Sequence, residues 1–227
     1  MSTQTTAVDH TPRTPLEAWR ALQDGNARFI AGETEHPHQD AQRRKDLAQS
    51  QKPFAVIFGC SDSRLAAEII FDLGLGDTFV IRTAGQVIDN AVLGSLEYAI
   101  EVLGTPLIMV LGHDSCGAVT ATKDSVESGQ LPRGFQRDLV ERITPSVLEA
   151  KRAGDADLQD MVVEHTRQTA ARLMDHSAAI STAVTRGDAT VIGVFYHLAD
   201  GKAELVYSED PAFGEALSLI HISEPTR

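Results

Sequence analysis

The sequence FAVIFGCSDSR, from Phe54 to Arg64, is an apolar run that ends abruptly in a thiol, a carboxylate and a guanidinium. Phe54 to Gly59 carry no polar side chain and follow Pro53, a pattern typical of a strand buried on both faces of a parallel sheet. A second run, from Leu107 to Leu111, has the same character and leads into GHDSCG. Ligands of open α/β sheets bind at the carboxyl ends of the strands, so the reactive groups after these two runs are candidates for a functional site.

Three side chains that commonly bind metals follow these strands: Cys60, His113 and Cys116. If the two strands are neighbours, about 4.8 Å apart, the three side chains converge. Two thiolates and an imidazole are preferred zinc donors, and three protein ligands with one open position form the catalytic arrangement. The His-x-x-Cys spacing alone is a weak signal, but its combination with Cys-x-Asp-x-Arg at a matching strand end is a strong one. The sequence therefore predicts a catalytic Zn²⁺ site.

Cys60 has two other interpretations. The thiolate loop of a phosphatase also follows a strand and ends in arginine, but it needs a longer spacing to encircle a phosphate than the three residues between Cys60 and Arg64. Free cysteines are also commonly small buried hydrophobic residues. Each cysteine here stands close to Asp or His just after a strand end, which favours metal ligation.

The composition narrows the class of protein. At 227 residues and 42% hydrophobic, the chain can bury one sizeable core. Its net charge of −12 argues against a nucleic-acid partner, because no basic patch is present to neutralise phosphates. The use of both cysteines as metal ligands fits a reducing compartment. We also find no apolar signal segment and no apolar run of about 18 residues, so we expect a cytoplasmic protein with no membrane partner.

The chain divides into three parts. Residues 1–13 are polar and are expected to be disordered, residues 14–215 are expected to form a single domain, and the tail 218–227 resembles translated sequencing-adapter sequence. We interpret that tail as non-native and leave it out of the fold prediction.

The succession of elements predicts an α/β fold: a mostly parallel central sheet of four to five strands flanked by helices, with an N-terminal helical arm. Thr14 and Glu17 form a capping box that begins this arm, which should run to about Ala31. The further predicted helices are Ala66–Phe71, Asn90–Leu103, Cys116–Ser128, Phe135–Lys151 with an interruption near Pro145, and Leu158–Thr182. The further predicted strands are Thr78–Arg82, Thr190–Tyr196 and Ala203–Val206, the last two joined as a hairpin.

Two features of these helices carry additional expectations. The arm would expose Trp19 and Phe29 unless it packs on its own domain or on a partner, and on this basis we predict at least a dimer. His165 and His176 fall on the apolar face of the last helix and are expected to be core or interface histidines with hydrogen-bond partners.

CSDSR at Cys60 to Arg64, together with His113-x-x-Cys116, resembles the motifs of the β-class carbonic anhydrases. The sequence as a whole is most similar to actinobacterial members of that class. The similarity extends from about Pro15 to Val206. It implies zinc-dependent, reversible hydration of carbon dioxide to bicarbonate and a proton. It also implies a homodimer or homotetramer in which the N-terminal helices of one subunit pack against the second subunit.

The resemblance assigns roles to further residues. In an open form, Arg64 would hold Asp62 so that its carboxylate accepts a hydrogen bond from the hydroxide at the fourth position of the zinc. In a closed form, Asp62 would itself become the fourth ligand. Phe79, Ala84 and Tyr98 would line the carbon dioxide pocket.

Gln51 would donate an amide hydrogen bond to the substrate in that pocket. Family members with a noncatalytic bicarbonate site carry Trp where this chain has Ile57, so that site is not expected here.

Two other functions are compatible with the same residues. One is a hydrolase of a related substrate such as carbon disulfide, and the other is a noncatalytic zinc-binding module. Retention of both Asp62 and Arg64 argues against the second, and a direct assay of carbon dioxide hydration separates all three.

Overall fold

A five-stranded sheet forms the centre of the computed structural model, which describes residues 11–213. The strands are β1 (Ala55–Cys60), β2 (Thr78–Thr83), β3 (Leu107–His113), β4 (Thr190–Tyr196) and β5 (Ala203–Ser208). Their order across the sheet is β2-β1-β3-β4-β5; the first four are parallel and β5 is antiparallel to β4. The predicted fold class is therefore confirmed, and so is the hairpin.

Eight α-helices accompany the sheet within residues 11–213. They are α1 (Pro15–Ala31), α2 (Ala41–Asp46), α3 (Ala67–Ile70), α4 (Asn90–Glu101), α5 (Gly117–Ser128), α6 (Gln136–Ala153), α7 (Leu158–His176) and α8 (Ala178–Arg186). The predicted tail 218–227, the last two residues of the predicted domain and most of the predicted disordered N-terminus lie outside the described residues.

Alternate residues of the central strands enter two separate cores, one on each face of the sheet. In β1, Ala55 and Ile57 pack with α1, α5 and α6, whereas Val56 and Phe58 pack with α4 and α8. Every residue of β1 and β3 is buried, which explains why both strands read as continuous apolar runs. Because β1 and β3 are parallel neighbours, their carboxyl ends lie at the same edge of the sheet.

Helix α1 packs on its own chain. Its capping box is formed as predicted, since the Thr14 side chain accepts from the Glu17 amide and Glu17 accepts from the Thr14 amide. Trp19 is buried, and the buried Asn26 side chain donates to the Gly201 carbonyl at 2.8 Å. The argument that the arm exposes Trp19 until a second subunit covers it is therefore wrong, because the core of the same chain covers it.

Gly25 is the point of closest approach between α1 and the domain. A Cβ atom there would lie 1.9 Å from the Phe71 carbonyl oxygen, which is backbone and cannot rotate away. We expect Gly25→Ala to lower the free energy of unfolding by about 2 to 3 kcal/mol. Gly94→Ala in α4 is the matched control, since its Cβ would meet nothing within 4 Å. Urea unfolding measures both, and equal stabilities for the two variants would contradict this packing of α1.

Two predicted features of the later helices are wrong. The expected helix Leu158–Thr182 is two helices, because Ser177 adopts an extended backbone and its side chain accepts from the Ile180 amide, which begins α8. Pro145 does not interrupt α6, because buried residues on both sides of it, including Ile143 and Val147, hold the helix on the core.

No helix in the described part of the chain is long and apolar enough to span a bilayer.

Candidate metal centre

Cys60, His113 and Cys116 meet at the carboxyl edge of the sheet. Cys60 is the last residue of β1, His113 is the last residue of β3, and Cys116 directly precedes α5. All three are buried, their ligand atoms lie within 4.8 Å of one another, and the two sulfurs are 4.0 Å apart. The predicted convergence of these residues is confirmed as a possible metal site.

The His113 ring is oriented to present one nitrogen to this cluster. Its Nδ1 donates to the Asp114 carbonyl oxygen at 2.8 Å, which leaves the lone pair on Nε2. That Nε2 atom is buried and has no hydrogen-bond partner within residues 11–213. A buried nitrogen without a partner is costly unless an ion takes its lone pair. The left-handed backbone of Ser115, with φ of 53°, turns the chain so that Cys116 returns to the same point.

The cluster fits a zinc ion. Tetrahedral zinc with bonds of about 2.3 Å to sulfur and 2.0 Å to nitrogen places its ligand atoms roughly 3.5 to 3.8 Å apart. The sulfur–sulfur separation of 4.0 Å is close to those values, and the widest separation, 4.8 Å, needs a contraction of about 1 Å. The donor set consists of two sulfurs and one imidazole nitrogen. Zinc binds such ligands well, whereas calcium and magnesium prefer oxygen ligands.

The two thiols are electrostatically unequal. The pKa of Cys60 is lowered to about 4, first because Cys116 donates a hydrogen bond to it, and also because the Gly85 amide donates to it. The pKa of Cys116 is raised because it keeps the shared proton and because it is buried. Cys60 is therefore the sulfur that holds negative charge most readily.

Gly85 is a contact that sequence reasoning did not identify. It follows β2 in a short 3-10 turn with φ of 64°, and its N–H donates to Cys60 Sγ at 3.2 Å. A Cβ there would lie 2.8 Å from the Ala118 Cβ, so only glycine fits. A glycine soon after a strand end was the available signal, but only the pairing of β1 with β2 shows which sulfur it reaches.

Asp62 and Arg64 form a clamp just outside the cluster. Arg64 donates from Nε and Nη2 to the two carboxylate oxygens of Asp62, at 2.9 and 2.8 Å, and Nη2 reaches the Ser115 carbonyl oxygen at 3.4 Å. The guanidinium holds the pKa of the Asp62 carboxyl well below its usual range, and the same contact raises the pKa of Arg64. The resemblance implies this contact for the open arrangement, but the role of Asp62 at the metal stays a prediction. The closed arrangement stays a prediction.

Arg82 supports this clamp and was also missed from the sequence. Its guanidinium donates to the Cys60 carbonyl oxygen at 2.9 Å and to the Asp62 carbonyl oxygen. Arg82 belongs to β2, beside β1, so it ties the loop after β1 to the edge strand. Its side chain was indistinguishable from an ordinary strand residue before that pairing was known.

The predicted pocket residues are divided between two places. Ala84 precedes Gly85 beside the cluster, but Phe79 pairs with Val56, four residues before Cys60. The Phe79 and Tyr98 rings lie 6.3 Å apart, and Tyr98 borders a cavity of about 630 Å³ together with Gln51. Gln51, Phe79 and Tyr98 therefore lie toward the amino end of β1, opposite to the cysteine–histidine cluster of the same chain.

His165 and His176 differ in their burial. His165 is buried with partners on both ring nitrogens, at 3.1 Å from Ser146 Oγ and 2.7 Å from the Gly85 carbonyl oxygen, as expected for a core histidine. His176 is exposed at the end of α7, because the break at Ser177 ends the apolar face, so it is not a core histidine. That it lies at an interface stays a prediction.

Burial lowers the pKa of His165 to about 4, from 6.5. Below pH 6.5 the unfolded chain binds a proton that the folded chain excludes, so stability should be level above that pH and fall as the pH decreases toward 4. We expect the loss to approach about 3 kcal/mol. Urea unfolding between pH 4.5 and 7.5 tests this, with His165→Gln losing this part of the slope and His176→Gln retaining it. Parallel curves for wild type and His165→Gln would contradict it.

Comparisons with known proteins agree with this geometry. Residues 55–203 match the family model described as carbonic anhydrase. A carbonic anhydrase of Mycolicibacterium smegmatis is 56% identical over 191 residues, which cover 84% of this chain and 93% of that protein. Carbonic anhydrase 2 of Mycobacterium tuberculosis is also 56% identical, with 84% and 92% covered.

Solved structures give the same result. The β-carbonic anhydrase CcaA superimposes with a TM-score of 0.65 at 25% identity, covering 82% of this chain and 86% of that one. A structure from Sordaria macrospora, described as one of two tetrameric β-carbonic anhydrases, shares the fold at a TM-score of 0.65 and 21% identity, covering 85% and 98%. The chain therefore belongs to the β-class carbonic anhydrases, the lyases that interconvert carbon dioxide and bicarbonate.

Proposed function

We propose that this enzyme hydrates carbon dioxide with a zinc ion bound by Cys60, His113 and Cys116, and that Asp62 and Arg64 orient the reacting groups. The observation that carries the proposal is the buried Nε2 of His113, which has no partner in residues 11–213 and lies with two sulfurs in one cluster. A zinc ion bound there would acidify water and so supply a nucleophile near neutral pH.

Asp62 sets the hydrogen-bond polarity next to the metal ligands. Its carboxylate accepts two hydrogen bonds from the Arg64 side chain and one from the Arg64 amide, and it stays ionised because these contacts keep its pKa low. An ionised carboxylate only accepts hydrogen bonds, so it favours a reacting group that carries a proton and disfavours anions that carry none. Arg64 fixes the direction of the carboxylate through two parallel contacts, which a lysine could not reproduce.

The carbon dioxide pocket is proposed to consist of Ala84 with Phe79, Tyr98 and Gln51. The rings and the methyl group suit an apolar gas, and the Gln51 amide can donate to the oxygen that gains negative charge. Since Gln51, Phe79 and Tyr98 lie at the far end of their own chain, we propose that a second copy supplies them.

A two-fold arrangement of two chains accounts for this separation. β2 is an edge strand, and α4 packs on it. Tyr98 on α4 and Val102 directly after α4 are exposed. If these elements pair antiparallel across a two-fold axis, the amino end of one β2 lies beside the carboxyl end of the other. Each cluster then receives the pocket residues of its partner, in a homodimer or in a homotetramer built from such dimers.

Hybrid dimers test this arrangement. We expect Cys60→Ser and Gln51→Ala homodimers to be inactive or slow, and a co-expressed hybrid of the two to recover one intact site per dimer. Recovery occurs because the Cys60→Ser chain supplies Gln51 to the intact cluster of the other chain. A hybrid no more active than the two parents would place Gln51 and Cys60 in the same chain's site and contradict the proposal.

Stopped-flow hydration of carbon dioxide tests the substrate directly. Zinc-loaded enzyme should accelerate hydration well above buffer and leave carbon disulfide unchanged, whereas the reverse preference would contradict the proposed substrate. The cytoplasm is the proposed location, because the two sulfurs bind zinc only while they are reduced.

A further inference from the structure

We propose that His165 is a positioning residue of the metal centre: it holds the Gly85 peptide in place so that the Gly85 N–H stays hydrogen-bonded to the Cys60 sulfur. The inference deepens the proposed function and rests on it, because it assigns a buried side chain on α7 to the control of one proposed metal ligand. His165 makes no described hydrogen bond to Cys60, His113 or Cys116, and the hydrogen-bonded path from its ring to Cys60 passes through Gly85.

The contacts form a continuous chain. His165 Nε2 lies 2.7 Å from the Gly85 carbonyl oxygen, and the Gly85 N–H lies 3.2 Å from Cys60 Sγ. A carbonyl oxygen can only accept, so Nε2 carries the proton in this contact. His165 therefore donates to the same residue that donates to the ligand sulfur.

The turn around Gly85 needs an external contact to keep its shape. Gly85 has φ of 64° and Gln86 has φ of 40°, so two consecutive residues adopt the left-handed conformation, and the second of them is not glycine. Such a conformation in a residue with a side chain persists only where surrounding contacts hold it. The His165 contact joins these two residues, because the carbonyl that it binds lies between them.

His165 is itself fixed from the other side. Its Nδ1 lies 3.1 Å from Ser146 Oγ on α6, and the side chain is 3% exposed. The burial that lowers its pKa keeps the ring neutral near pH 7, and with the proton on Nε2 the Nδ1 atom faces the Ser146 hydroxyl as an acceptor. The same hydroxyl also lies 3.1 Å from Gln168 Oε1. The Gly85 carbonyl thus selects the tautomer in which Nε2 donates, and Ser146 helps to hold the ring in position.

The consequence lies in the electron density on Cys60. A hydrogen bond to a thiolate withdraws charge from the sulfur, which makes the sulfur a weaker donor and leaves a bound metal more acidic. A metal bound by two thiolates receives more negative charge than one bound by three imidazoles. A hydrogen bond that withdraws charge from one of these sulfurs therefore has a larger effect on the acidity of the metal. Loss of His165 should free the Gly85 peptide, make the sulfur a stronger donor and shift the activity to higher pH.

His165→Leu tests the proposal in the full-length enzyme, with zinc for activity and with cobalt as a spectroscopic substitute. We expect the sulfur-to-cobalt charge-transfer band to move to longer wavelength, and kcat at pH 7 to fall about 10- to 100-fold. The loss should shrink as the pH is raised, with KM little changed. His165→Gln, which keeps an amide donor, should recover most of the wild-type band position and pH profile.

Two further variants separate this role from a general effect on folding. His176→Leu makes the same replacement at an exposed position of the same helix and should leave both readouts at wild-type values. Ser146→Ala removes the hydroxyl that faces Nδ1, together with its contact to Gln168, and should shift the band and the pH profile in the same direction as His165→Leu, but less. It also provides the test if His165→Leu does not fold.

A wild-type band position and pH profile in a folded His165→Leu enzyme, or in Ser146→Ala if that variant alone folds, would overturn the proposal. Failure of the proposed function looks different, because wild type itself would then show no sulfur-to-cobalt band and no hydration.

Discussion

Replacing Cys60 with serine should abolish carbon dioxide hydration and most of the zinc binding. Cys60 supplies the sulfur with the lowest pKa of the cluster, and a serine hydroxyl at the same point is a far weaker zinc ligand than a thiolate. We expect kcat/KM to fall by more than about 100-fold. This loss exceeds the effect of removing a residue that only forms a hydrogen bond to a metal ligand. Stopped-flow rates and zinc content per chain, measured on the same preparation, check this.

Ser63→Ala is the control for a general disturbance of the loop after β1. Ser63 is exposed in that loop and has no assigned role, so the control should retain its zinc and its rate. If Cys60→Ser kept one zinc per chain and a normal turnover, Cys60 would not be a metal ligand.

Replacing Asp62 with asparagine should lower kcat by about 100-fold at pH 7 while the zinc content stays at the wild-type level. Asparagine has nearly the same shape as aspartate, but it carries no charge and presents an amide donor as well as an acceptor. It can no longer hold both contacts to Arg64, and it can donate to anions that the carboxylate repels. Inhibition by small anions should become stronger for the same reason.

Arg64 variants show whether the direction of the carboxylate matters as well as its charge. Arg64→Lys keeps a positive charge but cannot make two parallel contacts, so we expect an intermediate rate, and Arg64→Ala should approach Asp62→Asn. Full activity in Asp62→Asn would remove Asp62 from the reaction.

The candidate metal centre was predictable because every signal for it lies within short stretches of sequence. Two apolar runs predicted two strands buried on both faces, and in a parallel sheet such strands end at one edge. Cys60, His113 and Cys116 needed only the additional expectation that β1 and β3 are neighbours. That expectation is confirmed by their pairing.

Features that depend on distant packing were not predictable in this way. The apolar periodicity of α7 continues through Ser177, and the break depends on Ser177 capping α8 and donating to Glu97, 80 residues earlier in the chain. The contact from Gly85 to Cys60 depends on the register of β1 with β2. The burial of Trp19 depends on where α1 docks, and neither composition nor periodicity shows this.

The pocket residues illustrate a further limit of sequence reasoning. The resemblance assigned Gln51, Phe79, Ala84 and Tyr98 to one pocket, but an assignment of residues carries no information on which chain supplies them. Only the strand positions separate Ala84 from the other three. The proposed dimer is therefore supported by the separation of these pocket residues within one chain, and an exposed N-terminal helix gives it no support.

A zinc titration tests the central claim most directly. Zinc is added in steps to the metal-free enzyme, and the initial rate of carbon dioxide hydration is followed by stopped flow. We predict that the rate rises linearly from the buffer level and becomes constant at about one zinc per chain, as expected for one site with three protein ligands. A rate that stays at the buffer level at saturating zinc, or one that is already maximal without metal, would contradict the account.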